Sequence, residues 1–140
     1  MSTSLQTYIG FDDGAYRSTQ NISSVAWIIY SPTDELVSIH GIFLGQTMNN
    51  IAEYSTIIKL LSDAITFGIR RLIIRLDSQL MVIHLNRVYA IINPMLLRLF
   101  FKVRLLERQF DYIEYQQILR NLNTLADSLA NRVLNIHFQH

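Results

Sequence analysis

The spacing of apolar residues changes near residue 50, and this change constrains the fold more than any other feature of the sequence. Three runs before it read as strands, over about 6–11, 25–30 and 36–44. After it, helical patterns alternate with two further strand-like runs, Arg71–Leu76 and Tyr112–Ile118. Consecutive strands predict an antiparallel meander, and later alternation predicts a mixed sheet covered by helices. We therefore predict an α/β fold with a five-stranded mixed sheet, its first three strands antiparallel, and helices on both faces.

Four helices complete the order βββαβααβα. The first begins at a capping Asn49 or Asn50 and ends at Gly68. The others are expected at about 78–86, 93–108 and 122–134. Two local features are expected within the meander: a turn at Asp12-Asp13-Gly14 and a bulge at Gly41. With 140 residues, no repeat and no linker, the chain is expected to be one domain, 1–140, with its core at about 6–136.

Composition excludes several classes of protein. The chain has no cysteine, which excludes disulfides, thiol nucleophiles and cysteine-ligated zinc. No run of about 18 residues is free of charged or strongly polar groups, and no signal-peptide pattern opens the sequence. We expect an intracellular protein that does not cross a membrane.

Basic residues are concentrated in the middle of the chain although the net charge is only +1. The segment from Arg70 to Arg108 contains eight basic residues and only two acidic ones. This asymmetry suits a polyanionic partner, and ordinary solvated helix faces explain it equally well.

Four acids stand at the ends of predicted elements. Asp13 lies where the first strand reaches Gly14, and Asp77 directly follows the buried strand. Glu53 is expected in the first turn of the first helix, and Asp127 in the first or second turn of the last. Ligand sites in open α/β sheets form outside strand ends, so these acids can share one cleft. Each acid alone has a structural alternative, as a cap or as an ordinary residue of a helical turn.

Carboxylates that converge repel one another, and a bound cation relieves that repulsion. Oxygen ligands without cysteine or histidine suit Mg²⁺ or Mn²⁺. Two such ions can activate a water and stabilise the leaving oxygen during phosphodiester cleavage.

Five motifs, in order and correctly spaced from about residue 7 to 135, resemble those of type 1 ribonuclease H, in particular its plant and retroelement-like branch. They are Asp13-Gly14-Ala15, Asn49-Asn50-Ile51-Ala52-Glu53-Tyr54, Asp77-Ser78-Gln79-Leu80, Asn93-Pro94 and Arg120-x-x-Asn123-x-x-Ala126-Asp127-x-Leu129-Ala130-Asn131.

The resemblance implies an endonuclease that cuts the RNA strand of RNA–DNA hybrids with two Mg²⁺ ions, or Mn²⁺ in their place, and leaves 3′-hydroxyl and 5′-phosphate ends. It also implies site residues. The implied catalytic residues and metal ligands are Asp13, Glu53, Asp77 and Asp127. The implied nucleic-acid contacts are Gly14, Ala15, Asn49, Ser78, Gln79, Arg120 and Asn123. Of the adjacent acids Asp12 and Asp13, strand alternation lets only one join the site, and the position before Gly14 favours Asp13.

Three departures from the family pattern separate alternative functions. The first hairpin, Tyr16 to Ser24, has neither glycine nor proline; the region 115–119 has no histidine; and 85–92 carries a single charge. These departures leave two alternatives. One is a weakly active or inactive hybrid-binding module, and the other is a nuclease of the same fold that acts on another substrate. The apolar excess of the helix 94–108 indicates a covered surface, and the candidates for its partner are a neighbouring polyprotein domain or a second copy in a homodimer.

Overall fold

The structure is a computed structural model, and it describes residues 6–17, 19–20, 22–47, 49–86, 93–119 and 123–138. Its elements follow the predicted order. The strands are β1 (Tyr8–Arg17), β2 (Ile22–Tyr30), β3 (Leu36–Gln46), β4 (Arg71–Leu76) and β5 (Tyr112–Gln117). The helices are α1 (Asn49–Thr66), α2 (Gln79–Asn86), α3 (Pro94–Glu107) and α4 (Thr124–Phe138).

One five-stranded sheet, in the order β3-β2-β1-β4-β5, organises the molecule. β1, β2 and β3 pair antiparallel, whereas β4 is parallel to β1 and β5 is parallel to β4. This is the predicted mixed sheet. β1 is its central strand and therefore contacts both the meander and the parallel half.

Helices cover both faces of the sheet, as predicted. On one face a large apolar cluster joins α1, α2 and α3 to the sheet, with Ile57, Leu60 and Val103 fully buried. On the other face Ala130 and Leu134 of α4 pack against β1 and β2. Successive residues of a strand point to opposite faces, so each position on β1 is assigned to the α1 side or to the α4 side.

The turn predicted at Asp12-Asp13-Gly14 is wrong. β1 runs through these residues to Arg17, and all three pair with β2. The hairpin comes later, where Arg17 pairs with Ile22. Neighbouring strands override the local turn preference of Asp and Gly because β2 supplies ladder hydrogen bonds along this whole segment.

The bulge predicted at Gly41 is also wrong, because the register between β2 and β3 shifts at Ser23/Ser24 and at Ile29/Tyr30 instead. Gly41 allows a close approach of α4. A Cβ atom there would lie 2.7 Å from Cγ2 of Val133, well inside van der Waals contact. The missing side chain thus lets α4 settle directly onto the sheet.

Two predicted helix signals, Gly68 and Asn93, are confirmed, whereas α1 already includes both of the predicted capping residues, Asn49 and Asn50. Gly68, at φ +75°, follows α1 in the left-handed conformation that glycine adopts readily. The side chain of Asn93 accepts hydrogen bonds from the backbone N–H groups of Met95 and Leu96 and so caps α3.

Helix α3 exposes apolar side chains, as its sequence suggested: Met95, Phe101 and Leu105 are each about half exposed or more. The partner expected to cover them stays a prediction. Among the described helices none is both long and apolar enough to cross a membrane.

Candidate active site

The candidate site lies where β1 extends beyond β4. The last residue pair between these strands is Phe11 with Arg75, and β4 ends at Leu76. Beyond that point the sheet is open on one side of β1, and a pocket of about 210 Å³ occupies the gap. Its lining consists of Asp12, Asp13, Gly14, Glu53, Leu76, Asp77, Ser78 and Met81.

Three of the four predicted metal ligands line this one pocket. Asp13 comes from β1, Glu53 from α1 and Asp77 from the residue after β4. Helix α1 begins at Asn49, so Glu53 lies beyond the first turn in which it was expected. The open end of the parallel strand pair brings the three acids together, as expected for ligand sites in α/β sheets.

Asp13 is nearly buried, with 8% of its surface exposed. Its Oδ1 atom accepts a hydrogen bond of 2.9 Å from the backbone N–H of Gly14. This local contact holds the carboxylate against its own strand.

Ser78 links Glu53 to the start of α2. Its hydroxyl oxygen accepts a 3.3 Å hydrogen bond from the backbone N–H of Met81, which makes Ser78 the N-cap of that helix. The same side chain hydrogen-bonds the Glu53 carboxylate. Burial raises the pKa of Glu53, the Ser78 hydrogen bond opposes that rise, and the negative charge of Asp77 adds to it.

Asp12 lines the pocket together with Asp13, and the expectation that only one of the two acids joins the site is therefore wrong. Their side chains do leave opposite faces of β1. Because β1 pairs with β4 only as far as Phe11, the sheet is open beside both acids, and both line the pocket. Burial raises the pKa of Asp12 well above its usual range, and the neighbouring charges of Asp13, Glu53 and Asp77 raise it further.

Asn123 acts on the backbone of the site. It is buried just before α4, and its Nδ2 atom donates a 2.7 Å hydrogen bond to the carbonyl oxygen of Asp12. The C-terminal part of the chain is thereby attached to β1 at the level of the pocket. The sequence motif indicated a residue near the site, and the structure adds this specific backbone contact.

The other predicted residues divide into those whose side chains the structure describes, Ala15 and Gln79, and those whose side chains it does not describe. Ala15 is buried against α4 rather than in the pocket, whereas Gln79 is exposed at the start of α2. Asp127 lies in the first turn of α4 and Asn49 at the start of α1, but their side chains are outside the described part of the structure. Arg120 also lies outside the described residues, as does 87–92, most of the segment with a single charge.

The donor chemistry of the pocket fits a hard divalent cation. Its polar lining is made of carboxylate and hydroxyl oxygens, with no histidine or cysteine. One oxygen, Oδ1 of Asp12, is buried with no hydrogen-bond partner among the described residues. Within the same described part of the chain, no three acidic or histidine side chains already stand at the spacing of ligands to a single ion.

A protein-family description, reverse transcriptase-like, matches residues 11–133 of this chain. The chain belongs to the ribonuclease H family. The ribonuclease H1 of the halophilic archaeon Halobacterium salinarum has a similar structure, with a TM-score of 0.86 and 32% identity, over 92% of this chain and 98% of that one. The N-terminal ribonuclease H domain of a Mycobacterium tuberculosis protein superposes with a TM-score of 0.89 at 27% identity, over 96% and 97% of the two chains.

Two further similarities bear on this ribonuclease H domain. A ribonuclease H1 isolated from compost, solved in complex with an RNA/DNA hybrid, shares 25% identity and a TM-score of 0.86 over 94% of this chain and 99% of that one. A bifunctional protein of M. tuberculosis is 35% identical over 92 residues, which is 66% of this chain. The chain spans about a quarter of the length of the curated relatives that it matches.

Asp12 is the site residue that sequence reasoning set aside. Its signal was visible as a second acid beside Asp13 in a strand-forming segment. Alternation argued against it because Asp12 and Asp13 point to opposite faces of the strand, and a site confined to one face would include only one of them. The early end of β4, which removes one neighbour, cannot be read from the residues around Asp12.

Proposed function

We propose that this domain is an endoribonuclease that hydrolyses the RNA strand of RNA–DNA hybrids with two Mg²⁺ ions. The observation that carries the proposal is the single pocket in which Asp13, Glu53 and Asp77 meet at the open end of the sheet. Membership of the ribonuclease H family supports the reaction, and the hybrid bound to the compost ribonuclease H1 supports the substrate.

The metal ligands in this proposal are Asp13, Glu53, Asp77 and Asp127. The cations would supply Lewis acidity and a water nucleophile activated near neutral pH. The protein supplies the orientation of the ligands. Gly14 fixes the Asp13 carboxylate, Ser78 fixes that of Glu53, and Asn123 holds the strand from which Asp12 and Asp13 project.

Hybrid recognition in this proposal uses groups at the rim of the pocket. Gly14 presents backbone beside Asp13, with open space in which a Cβ atom would meet only the Ser24 carbonyl at 3.6 Å. Ser78 lies on the pocket wall, and the exposed Gln79 can reach base and sugar edges. Proteins distinguish RNA from DNA through the 2′-hydroxyl and through helix shape, which suits short polar side chains at such a rim.

The test is cleavage of an RNA–DNA hybrid labelled on the RNA strand, with and without Mg²⁺. Asp77→Asn keeps the shape of the side chain and removes its charge, and Asp111→Asn is the matched control on an exposed acid paired with Arg70, away from the pocket. Duplex RNA and duplex DNA of the same sequence control for substrate.

Metal-dependent cleavage of the hybrid RNA by the wild type and by Asp111→Asn, but not by Asp77→Asn, is the expected result. Hybrid binding without cleavage in Mg²⁺ or Mn²⁺ would replace the proposal with a binding module. Cleavage confined to one of the control duplexes would indicate a nuclease of this fold with another substrate.

A further inference from the structure

Asp12 is a buried acid, and one of its two carboxylate oxygens has no hydrogen-bond partner among the described residues. It retains 5% of its surface exposure, it lines the pocket, and its Oδ1 atom has no hydrogen-bond partner among the described residues. A buried polar group without a partner costs free energy, and a buried charge without a partner costs more. The fold itself needs no acid here, because Asp12 occupies an ordinary paired position of β1 opposite Trp27.

The charged groups that act on Asp12 make its burial still less favourable. Those identified in the described structure are three acids, Asp13, Glu53 and Asp77, and none is basic. A neutral residue would avoid this repulsion entirely. The combination of burial, a bare oxygen and acidic neighbours is the environment that a bound cation stabilises.

Asp12 reaches the pocket from a different side than Asp13 does. Gly10, two residues earlier on the same side of the strand, faces Leu60 of α1, with a potential Cβ position 3.1 Å from that leucine. Ala15, two residues after Asp13 on the other side, packs with Ala130 of α4. Asp12 therefore approaches from the α1 side, where Glu53 also originates.

We infer that Asp12 is a further ligand for a divalent cation in this pocket, added on the α1 side to the ligands that the family motifs specify. The inference rests on the proposed function, since both require a divalent cation in the pocket. It assigns to this chain one carboxylate more than its motif residues provide.

The test measures cation binding directly and does not depend on cleavage. Mn²⁺ is titrated into the cation-free protein by calorimetry, and thermal unfolding is followed at increasing Mn²⁺ concentration. The variants are Asp12→Asn, which preserves shape, and Asp12→Thr, which removes the carboxylate with a residue that suits strands. Asp111→Asn again serves as the control for loss of one negative charge elsewhere.

Both Asp12 variants are expected to bind Mn²⁺ at least about tenfold more weakly than the wild type, the range seen when groups that support a metal site are removed. The rise in melting temperature caused by Mn²⁺ should shrink in the same variants and stay unchanged in Asp111→Asn. In the absence of cation, Asp12→Asn should melt no lower than the wild type, because burial and three acidic neighbours disfavour a negative charge at this position.

Unchanged or tighter Mn²⁺ binding in a folded Asp12 variant would overturn the inference, even if cation-free stability rises. The wild-type titration separates this result from failure of the proposed function. A wild type that binds no divalent cation contradicts the proposed function, whereas a binding wild type with equally good Asp12 variants contradicts the role of Asp12 alone.

Discussion

Two acids on the α1 side of the sheet, Asp12 and Asp63, differ in the hydrogen-bond donors that surround their carboxylates. The Oδ2 atom of Asp63 accepts a 2.9 Å hydrogen bond from Nε1 of Trp27 and another from the hydroxyl of Ser38. Nε2 of His40 lies 3.6 Å from the same atom, and the His40 ring stacks on Trp27. For Asp12, the described part of the chain offers no donor to Oδ1.

The difference separates an acid used for the fold from an acid available to a ligand. The protein satisfies Asp63 with its own donors and thereby ties α1 to β2 and β3. Asp12 instead keeps one oxygen, Oδ1, without a donor from the described part of the chain. Burial and charge alone do not distinguish the two cases; the supply of donors does.

Asp77→Asn should produce the largest effect. Loss of one proposed metal ligand removes several kcal/mol of transition-state stabilisation, so hybrid cleavage should fall by about 10³-fold or more. Initial rates at saturating Mg²⁺ measure this, and the free energy of unfolding by urea should not fall. A variant with near wild-type rates would remove Asp77 from the site.

Asp63→Ala should show the converse pattern. It leaves the Trp27 indole N–H and the Ser38 hydroxyl without their acceptor, which should lower the free energy of unfolding by about 2–3 kcal/mol. Urea denaturation followed by Trp27 fluorescence measures the loss. Mn²⁺ affinity of the folded variant should equal that of the wild type, and a clear loss of cation binding would break the distinction drawn between the two acids.

Glu53 gives a pH dependence of defined sign. Because burial raises its pKa, the folded state binds the proton more tightly than the unfolded state does. In cation-free protein the free energy of unfolding should therefore rise as the pH falls through the raised pKa, and this contribution should level off below the ordinary glutamate value. Urea denaturation between neutral and acidic pH measures the slope, which should be shallower in Glu53→Gln. Equal slopes in the two proteins would contradict the assignment.

Ser38→Ala should have the smallest effect of the four. It removes one of the donors to Asp63 but leaves Trp27 in place, so the free energy of unfolding should fall by about 1 kcal/mol. Urea denaturation beside Asp63→Ala gives the comparison. A loss as large as that of Asp63→Ala would mean that Ser38, rather than Trp27, holds the acid.

The architecture could be predicted from the sequence because its signals are local. Helical spacing, the β-branched run of β4, the cap Asn93 and the stop Gly68 each act within a few residues, and the strand and helix order followed from them. The Asp-Gly pair misled the prediction because its turn preference is also local, whereas the pairing of β1 with β2 is not.

The site could be predicted only as a set of motifs. Asp13, Glu53 and Asp77 could be predicted because each belongs to a motif, although only Asp77 directly follows the end of an element in the structure. The roles of Asp12 and Asp63 depend on which donors the folded chain places around them. Asp63, in the last turn of α1, carries no sequence signal that separates it from a solvent-exposed acid.

The hydrogen bond from Asn123 to the carbonyl of Asp12 spans 111 residues of chain. During synthesis, β1 leaves the ribosome long before its partners β4 and α4, so the nascent chain carries the acids of the pocket without the contacts that arrange them. This part of the molecule cannot reach its final geometry until the last helix has been made. Shortened translation products that end before residue 123 would therefore contain most of the proposed ligands and still lack an assembled catalytic centre.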